Sequence, residues 1–227
     1  PRPHPSTPPA PHSPPPPVGA EDERRAGAGG QRVAQRQHDG IVESARKAGA
    51  EAGSITLGSP FGSNFEGPFT LAQQMELITT MVDAWHARGI PVGSLGVSDA
   101  MGWNGPHLVR ETIVAIRETW PEIETFHLHL HNSRGATIAS YYEGLLLGVR
   151  EFDTCLGGMG GCPYCGNGRA AGHVPTEDFV DLCHEMGIET GYNLDKLIQA
   201  AWIAEEVVGH PLWGHVSKGR SEERRVG

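Results

Sequence analysis

The most constraining feature of this sequence is a regular alternation of short apolar runs with longer amphipathic runs. Strand-like segments begin near residues 54, 92, 124 and 151, and each is followed by a segment with helical periodicity or a loop that leads to one. Strands joined by crossover helices pair in parallel, whereas antiparallel neighbours need only a short turn. The alternation therefore predicts an α/β protein with a parallel sheet, either doubly wound or a (β/α)₈ barrel.

The helices of the alternating region carry recognisable start signals. Thr70 is predicted to cap one helix with Gln73 at the capping-box position, and Pro106 lies in the first turn of the next helix. Thr176 and Asn193 are predicted to cap two later helices. A complete barrel typically needs about 250 residues, and only four to five units are found in this chain. A barrel would therefore be represented by roughly its C-terminal half.

The two ends of the chain differ in composition from the region between them. Ten of the 18 prolines fall within residues 1–17, and the next residues are charged and rich in glycine. Such a composition buries little apolar surface, so residues 1–39 are predicted to be a disordered segment. Residues 219–227 are predicted to be a charged tail. The barrel portion is accordingly expected to occupy residues 40–218.

Charge and cysteine content argue against several classes of function. A net charge of -9 is not that of a nucleic-acid-binding protein, which presents a basic surface. No apolar run approaches the roughly 20 residues of a membrane span, and the proline-rich start lacks the apolar region of a signal peptide. Four cysteines in 227 residues do not suggest a secreted disulfide framework. A cytoplasmic protein without nucleic-acid or membrane partners is expected.

One predicted strand carries three histidines in strict alternation, in the run FHLHLHN at residues 126–132. Side chains along a strand alternate between its faces, so His127, His129 and His131 share one face. Active sites of parallel α/β proteins lie at the carboxyl ends of the strands, which predicts that His129 and His131 bind one cation. A hydrogen-bonded polar face is the alternative, and His127, farthest from that end, is expected to be a core filler. A mixed imidazole and oxygen site would suit Mg²⁺ or Mn²⁺.

A glycine-rich stretch, GGMGGCPYCGNG at residues 157–168, contains two cysteines. The tetrad CPYC is also that of glutaredoxins, where it follows a strand directly and begins a helix whose N-terminus lowers the thiol pKa. Here glycines lie on both sides, so no helix is predicted to begin at Cys165. A loop that presents the Cys162 thiol to a substrate is therefore favoured, and a thiol oxidoreductase is the weaker alternative.

Taken together, these motifs resemble the HMG-CoA lyase group of metal-dependent TIM-barrel lyases and synthases, over residues 41–218. The matching segments are SLG and DAMG (94–96 and 99–102), HLHN (129–132), GGMGGCPY (157–164), TED (176–178) and TGYNL (190–194). The HxHN motif is shared with isopropylmalate and homocitrate synthases, whereas GGCPY narrows the resemblance towards the lyase. The GxGERAGN loop of the synthases is missing here.

The resemblance implies a set of metal ligands. His129 and His131 correspond to the family's histidine pair, which binds Mg²⁺ or Mn²⁺. The family's ligating asparagine is replaced by His173, after a longer loop, and Asn167 is a weaker substitute. The family's opening strand, with an arginine followed by a ligating aspartate, has no counterpart in this chain. The site is therefore expected to lack one ligand.

The resemblance also implies an activity, the retro-Claisen cleavage of 3-hydroxy-3-methylglutaryl-CoA, or a related hydroxyacyl-CoA, to acetyl-CoA and acetoacetate, as in leucine degradation. Cys162 would be the catalytic thiol, His129 a ligand or the acid/base, and Asp99 an aid to proton transfer, although Asp99 could instead cap a turn. A Claisen-type synthase or aldolase is the alternative within the family. The expected partners are an acyl-CoA substrate and, as one option, a second copy of the chain. With half a barrel, the 227 residues alone are expected to be an inactive fragment.

Overall fold

The computed structural model describes residues 38–161 and 172–219. The chain divides into two units, Pro1–Ile41 and Val42–Gly227. Of the first unit, residues 38–41 are described, and they are helical. The predicted boundaries at residues 39 and 218 stay predictions.

The second unit alternates strands and helices along most of its length. Its elements follow the helical residues 38–47 (α1) in this order: β1 (Gly53–Gly58), β2 (Gly62–Ser63), β3 (Gly67–Pro68), α2 (Leu71–His86), β4 (Val92–Asp99), α3 (Pro106–Thr119), β5 (Thr125–Leu130), α4 (Thr137–Leu146), β6 (Glu151–Phe152), α5 (Thr176–Glu185), α6 (Leu194–Val208) and α7 (Val216–Gly219). Strands β1, β4, β5 and β6 form one parallel sheet in that order, and β2 pairs with β3 as a small hairpin. The predicted parallel α/β architecture is confirmed. Among the described residues, no helix is both long enough and apolar enough to cross a bilayer.

Most of the predicted helix signals act as expected. The Thr70 side chain accepts a hydrogen bond from the Gln73 N–H, while the Gln73 amide oxygen accepts from the Thr70 N–H, so the capping box is formed. Pro106 is the first residue of α3, and Asn193 caps α6 by accepting from the Lys196 N–H at 2.9 Å. Each cap satisfies backbone donors that the first helical turn leaves unpaired.

Two elements near the glycine loop differ from the prediction. The sequence predicts a strand from Phe152 to Leu156, but β6 is only two residues long, after which Cys155 alone bridges Pro175. Thr176 begins α5 and does not cap it, because the N-cap position is held by Pro175. The Thr176 hydroxyl lies 2.9 Å from the hydroxyl of Thr154, which ties the helix start to the segment after β6.

A hydrophobic core lies between the sheet and the helices that cover it. Leu128 and Leu130 of β5 are fully buried in this core, together with Val109, Ile113 and Ile116 of α3. Each such side chain contributes about 1.5–3 kcal/mol by leaving water. Because strand side chains alternate, the histidines of β5 point to the opposite face, as predicted. That face borders a cavity of about 210 Å³ lined by Thr56, Gly96, Val97, Ser98, His127 and His129.

Candidate metal and catalytic site

Three predicted ligands come together at the carboxyl end of the sheet. His129 lies near the end of β5, His131 directly follows that strand, and His173 lies in the segment before α5. One nitrogen from each ring lies within 4.8 Å of the other two. Nitrogens bound to one cation at about 2.0–2.1 Å would be roughly 3–3.5 Å apart, so small side-chain rotations would complete the site. These three residues are called the histidine cluster below.

Backbone hydrogen bonds bring His173 to the end of β5. The Asn132 N–H donates to the Gly172 carbonyl oxygen at 2.6 Å, which fixes the residue before His173. Nδ1 of His173 lies 3.2 Å from the Leu130 carbonyl oxygen, an acceptor, so Nδ1 carries the proton in that hydrogen bond. Nε2 of His173 is then the nitrogen with a lone pair for a ligand.

Asp153 orients His129 and also pairs with His127. Its Oδ2 lies 2.6 Å from Nδ1 of His129, and its Oδ1 lies 3.0 Å from Nε2 of His127. In a neutral imidazole whose Nδ1 proton is donated to this carboxylate, Nε2 is the nitrogen that carries the lone pair. Partial burial raises the pKa of Asp153, but hydrogen bonds from His129 and then His127 outweigh it and hold that pKa below its ordinary value. His127, whose side chain is 37% exposed, is thus a partner of Asp153 and not the predicted core filler.

His131 is the most buried member of the histidine cluster. It is 8% exposed, and its Nδ1 is buried without a hydrogen-bond partner among the described residues. Burial lowers the pKa of His131 to about 4, with smaller effects from His173 and His129. Burial, followed by His129, also lowers the pKa of His173. Neutral imidazoles are the form of histidine that binds metals, so this donor set fits a divalent cation.

Asp99, predicted to assist proton transfer, is fully buried and accepts four hydrogen bonds. Its Oδ1 accepts from the N–H groups of Met101 and Gly102, at 3.2 and 3.1 Å. Its Oδ2 accepts from the backbone N–H and the side-chain amide of Asn104, at 2.7 and 2.9 Å. Burial raises the pKa of Asp99, and the Asn104 hydrogen bonds oppose that rise. The bonding supports the turn-capping alternative, and the catalytic role stays a prediction.

The Asp99 turn is connected to the backbone of His131. The Asp99 carbonyl oxygen accepts from the His131 N–H at 3.0 Å. The His131 carbonyl oxygen lies 3.1 Å from the Asn104 amide nitrogen, which donates to it, and 2.8 Å from the Thr137 hydroxyl. The backbone N–H and carbonyl oxygen of His131 are therefore both hydrogen-bonded. The Asp99 turn thereby fixes the position of the His131 backbone, from which the imidazole extends.

A buried glutamate is hydrogen-bonded to the first residue of the glycine loop. The Gly157 N–H donates to Oε2 of Glu177 at 2.9 Å, and the Gly157 carbonyl oxygen accepts from the Trp213 N–H at 2.9 Å. Gly157 and Gly158 have φ of 62° and 70°, which glycine adopts without strain. Burial raises the pKa of Glu177, with a smaller contribution from the Asp178 charge. The sequence shows Glu177 only as part of the TED match.

The described part of the glycine loop ends beside the histidine cluster. A Cβ on Gly172, the residue before His173, would overlap the Met159 carbonyl oxygen, so the two segments are in contact. Cys162, Cys165 and Asn167 lie outside the described residues. The predicted catalytic thiol, the redox alternative and the weaker ligand candidate therefore stay predictions.

Residues 30–203 match the family model HMGL-like. Among curated relatives, the (R)-citramalyl-CoA lyase of Chloroflexus aurantiacus is 34% identical over 164 residues, which cover 72% of this chain and 49% of that protein. The hydroxymethylglutaryl-CoA lyase YngG of Bacillus subtilis is 32% identical over 163 residues, covering 72% and 53%. The chain thus spans about half the length of the curated relatives it matches.

Solved structures show the same architecture. An HMG-CoA lyase from Acinetobacter baumannii, in complex with coenzyme A and 3-methylmalate, superposes with a TM-score of 0.65 at 31% identity, over 79% of this chain and 55% of that chain. A hydroxymethylglutaryl-CoA lyase from Pseudomonas aeruginosa has a TM-score of 0.69 at 23% identity, over 85% and 61%, and this match shows the fold alone. The parallel sheet is therefore part of a (β/α)₈ barrel, and that prediction is confirmed.

Proposed function

This chain belongs to the HMGL-like family, and we propose that its site serves the metal-dependent cleavage of a carbon–carbon bond in a hydroxyacyl-CoA. The observation that carries the proposal is the convergence of His129, His131 and His173, within 4.8 Å of one another, beside the glycine loop. Three imidazoles at the carboxyl end of a parallel sheet occupy the place where such barrels hold their active sites.

The substrate is proposed to be 3-hydroxy-3-methylglutaryl-CoA or citramalyl-CoA. Both are thioesters with a tertiary hydroxyl at the β-carbon, and they differ by one methylene between that carbon and the carboxylate. Cleavage of the bond between the β-carbon and the α-carbon of the thioester gives acetyl-CoA from both compounds. The other product is acetoacetate from 3-hydroxy-3-methylglutaryl-CoA and pyruvate from citramalyl-CoA. One methylene is worth only about 1–3 kcal/mol of discrimination, so both compounds belong in the assay.

Cleavage needs one proton removed and one proton returned. A base takes the hydroxyl proton, the carbon–carbon bond breaks as the carbonyl forms, and an acid protonates the thioester enolate carbon. His129 is the proposed ligand or base, because its Nδ1 lies 2.6 Å from Oδ2 of Asp153, and a neutral imidazole that donates from Nδ1 has its lone pair on Nε2. A divalent cation held by the histidine cluster would supply Lewis acidity at this centre.

Cys162 is the proposed acid. Gly160 lies against Gly172, since a Cβ on Gly160 would be 3.9 Å from the Gly172 Cα, and Gly172 is next to the ligand His173. Cys162 comes two residues after Gly160 in the sequence, which supports the proposed role of its thiol.

Of the two predicted ions, the donor set favours Mn²⁺. Mg²⁺ takes oxygen ligands and keeps several waters, whereas Mn²⁺ belongs to the first-row transition series, whose ions also bind at sites with nitrogen donors. Within the described residues, the clustered ligands are three imidazoles. We therefore expect Mn²⁺ to bind more tightly than Mg²⁺.

The experiment that tests the proposal separates binding from turnover. Mn²⁺ binding to the purified chain is measured by electron paramagnetic resonance for wild type, His131→Ala and His173→Ala, with His107→Ala, an exposed histidine of α3, as the matched control. Binding is expected in wild type and the control, and at least about tenfold weaker binding in the cluster variants. Equal binding in all four proteins would refute the metal site.

Turnover is measured as acetyl-CoA release from both substrates. The 227 residues alone are expected to give none, because the chain covers 49% of the citramalyl-CoA lyase. A version extended by any in-frame upstream coding sequence is expected to be active with Mn²⁺ and inactive with His131→Ala. An extended version that binds Mn²⁺ but cleaves neither thioester would refute the activity while leaving the metal site intact.

A further inference from the structure

A second group of side chains lies at the carboxyl end of the sheet, outside the histidine cluster. Asn64 lies between β2 and β3, in the connection from β1 to α2, while Trp103 follows β4 and Arg134 follows β5. The Arg134 guanidinium carbon lies 4.0 Å from the centroid of the Trp103 ring. The Asn64 amide oxygen accepts from Nη2 of Arg134 at 3.3 Å and from Nε1 of Trp103 at 3.0 Å. These three residues are called the rim cluster.

The surroundings of the rim cluster hold its parts in place. A Cβ on Gly62 would lie 2.9 Å from the Trp103 ring, so the hairpin β2–β3 packs directly on the indole. The Asn64 N–H lies 3.2 Å from the Met101 sulfur, which links the β1 loop to the β4 loop. A guanidinium that stacks on an aromatic ring still has its N–H donors at the edge of its plane. The packing on Trp103 therefore holds the N–H donors of Arg134 in a defined orientation.

Among the described residues, no carboxylate forms an ion pair with Arg134. Over residues 38–161 and 172–219, Arg46, Arg88 and Arg110 form ion pairs with glutamates, whereas Arg117, Arg134 and Arg150 form none. Its hydrogen-bond partner in the rim cluster is the neutral amide of Asn64. An oriented guanidinium without a counter-charge, in a chain of net charge -9, is suited to binding an oxyanion through paired N–H donors.

The rim cluster adjoins the histidine cluster. A Cβ on Gly102 would lie 2.9 Å from the Ser133 Cβ and 3.2 Å from the His131 carbonyl oxygen. The loop that carries Trp103 therefore packs on the backbone between His131 and Arg134. A ligand of ordinary metabolite size could engage both clusters from one side of the sheet.

We propose that the rim cluster is an anion-binding subsite, in which Arg134 binds a carboxylate or phosphate group of a ligand that reaches the histidine cluster. This inference rests on the proposed function, since a hydroxyacyl-CoA thioester carries a carboxylate on its acyl part and phosphates on its nucleotide part. The shared chemistry is an oxyanion held by a planar guanidinium, and the two sources are separated experimentally.

The test measures binding of two probes by calorimetry without added metal, so that it does not depend on the histidine cluster. Free coenzyme A presents phosphates and no carboxylate, and 3-methylmalate presents two carboxylates and no phosphate. The variants are Arg134→Gln, which removes the charge, and Arg134→Lys, which keeps it. Arg150→Gln, an exposed arginine just before β6 at the opposite end of the sheet, is the matched control.

At least one probe is expected to bind about tenfold more weakly to Arg134→Gln than to wild type, because a charge-assisted bidentate contact is lost. Arg134→Lys should recover part of the loss, and Arg150→Gln should match wild type. Weaker binding of coenzyme A to Arg134→Gln would mean that Arg134 binds a phosphate. Weaker binding of 3-methylmalate would mean that it binds a carboxylate. Equal affinities of Arg134→Gln and Arg150→Gln, or no binding of either probe to wild type, would overturn the subsite. Mn²⁺ binding and turnover, measured separately, decide the proposed function.

Discussion

Two buried polar centres lie at the ends of neighbouring strands and differ in how their hydrogen bonds are satisfied. At the end of β4, the Asp99 carboxylate accepts from four protein donors. Just past β5, the His131 backbone is fully held, yet its Nδ1 has no hydrogen-bond partner within the described part of the chain. An unsatisfied buried polar group costs about 1–3 kcal/mol and calls for an explanation, such as a ligand. The contrast supports the turn-capping alternative for Asp99 and the proposal that His131 binds a ligand.

The largest expected effect is on folding stability at the Asp99 turn. Asp99→Ala leaves three buried backbone donors without their acceptor and removes one of the two acceptors of the Asn104 amide, so we expect the free energy of unfolding to fall by about 3–5 kcal/mol. His131→Ala deletes a group that is itself unsatisfied, so its cost should be no more than about 1–2 kcal/mol. Urea denaturation followed by circular dichroism measures both. A larger loss for His131→Ala than for Asp99→Ala would invert the assignment of the two centres.

The second expected effect is stabilisation by metal. A ligand that binds only the folded state at one hundred times its Kd stabilises it by about 2.7 kcal/mol, which raises the melting temperature of a domain this size by roughly 5–10 °C. We expect that rise on adding Mn²⁺ to wild type and to His107→Ala, and none for His131→Ala. Thermal melts with and without Mn²⁺ measure it. A rise that survives His131→Ala would place the ion elsewhere.

The third effect is a pH dependence of stability at Glu177. The hydrogen bonding of this buried carboxyl is intermediate between that of Asp99 and that of His131. Its Oε2 accepts from Gly157, while its Oε1 lacks a hydrogen-bond partner within the described residues. Burial raises its pKa above the unfolded value of 4.5, so the folded state keeps the proton to higher pH. The stability it contributes is full below pH 4.5 and is lost as pH rises through the raised pKa.

Glu177→Gln should remove this pH dependence, because glutamine has nearly the same shape and stays neutral. The free energy of unfolding of the variant minus that of wild type is therefore expected to increase from pH 4 towards pH 7. Taking the difference cancels the titration of other groups, including Asp99, whose pKa burial also raises. A difference that stays constant with pH would mean that the Glu177 carboxyl titrates alike in the folded and unfolded chain.

The fold could be predicted where the signal is local. The caps at Thr70 and Asn193 depend on residues three positions away, and the two-residue alternation of β5 fixes which side chains share a face. The pattern at Thr176 predicts the cap one residue too late, because Pro175, which bridges Cys155, holds the N-cap position of α5.

The site could be predicted only in part, because several of its partners are distant in sequence. His129 and His131 follow from the strand pattern, and the family resemblance adds His173. Asp153 lies on the segment after β6, so its pairing with His127 and His129 appears only when the strands are assembled. The rim cluster joins three loops, and no local pattern indicates that they touch.

The smallest expected effect tests whether the two centres are coupled. The Thr137 hydroxyl lies 2.8 Å from the His131 carbonyl oxygen and 3.0 Å from the Asn104 amide oxygen, so it connects both. Thr137→Val should cost about 1 kcal/mol of unfolding free energy and weaken Mn²⁺ binding less than tenfold, since Asn104 still donates to His131. Thr119→Val, whose hydroxyl donates only within α3, is the matched control for lost hydroxyls in helices.

Urea denaturation and Mn²⁺ titration of these two variants decide between three arrangements. A modest effect of Thr137→Val on both quantities, absent in Thr119→Val, means that the Asp99 turn supports the histidine cluster through the His131 backbone. No effect on Mn²⁺ binding means that the centres are neighbours without coupling. A loss of binding as complete as that of His131→Ala means that the turn belongs to the binding site, because a backbone held by one remaining donor would then be too loose to aim the imidazole.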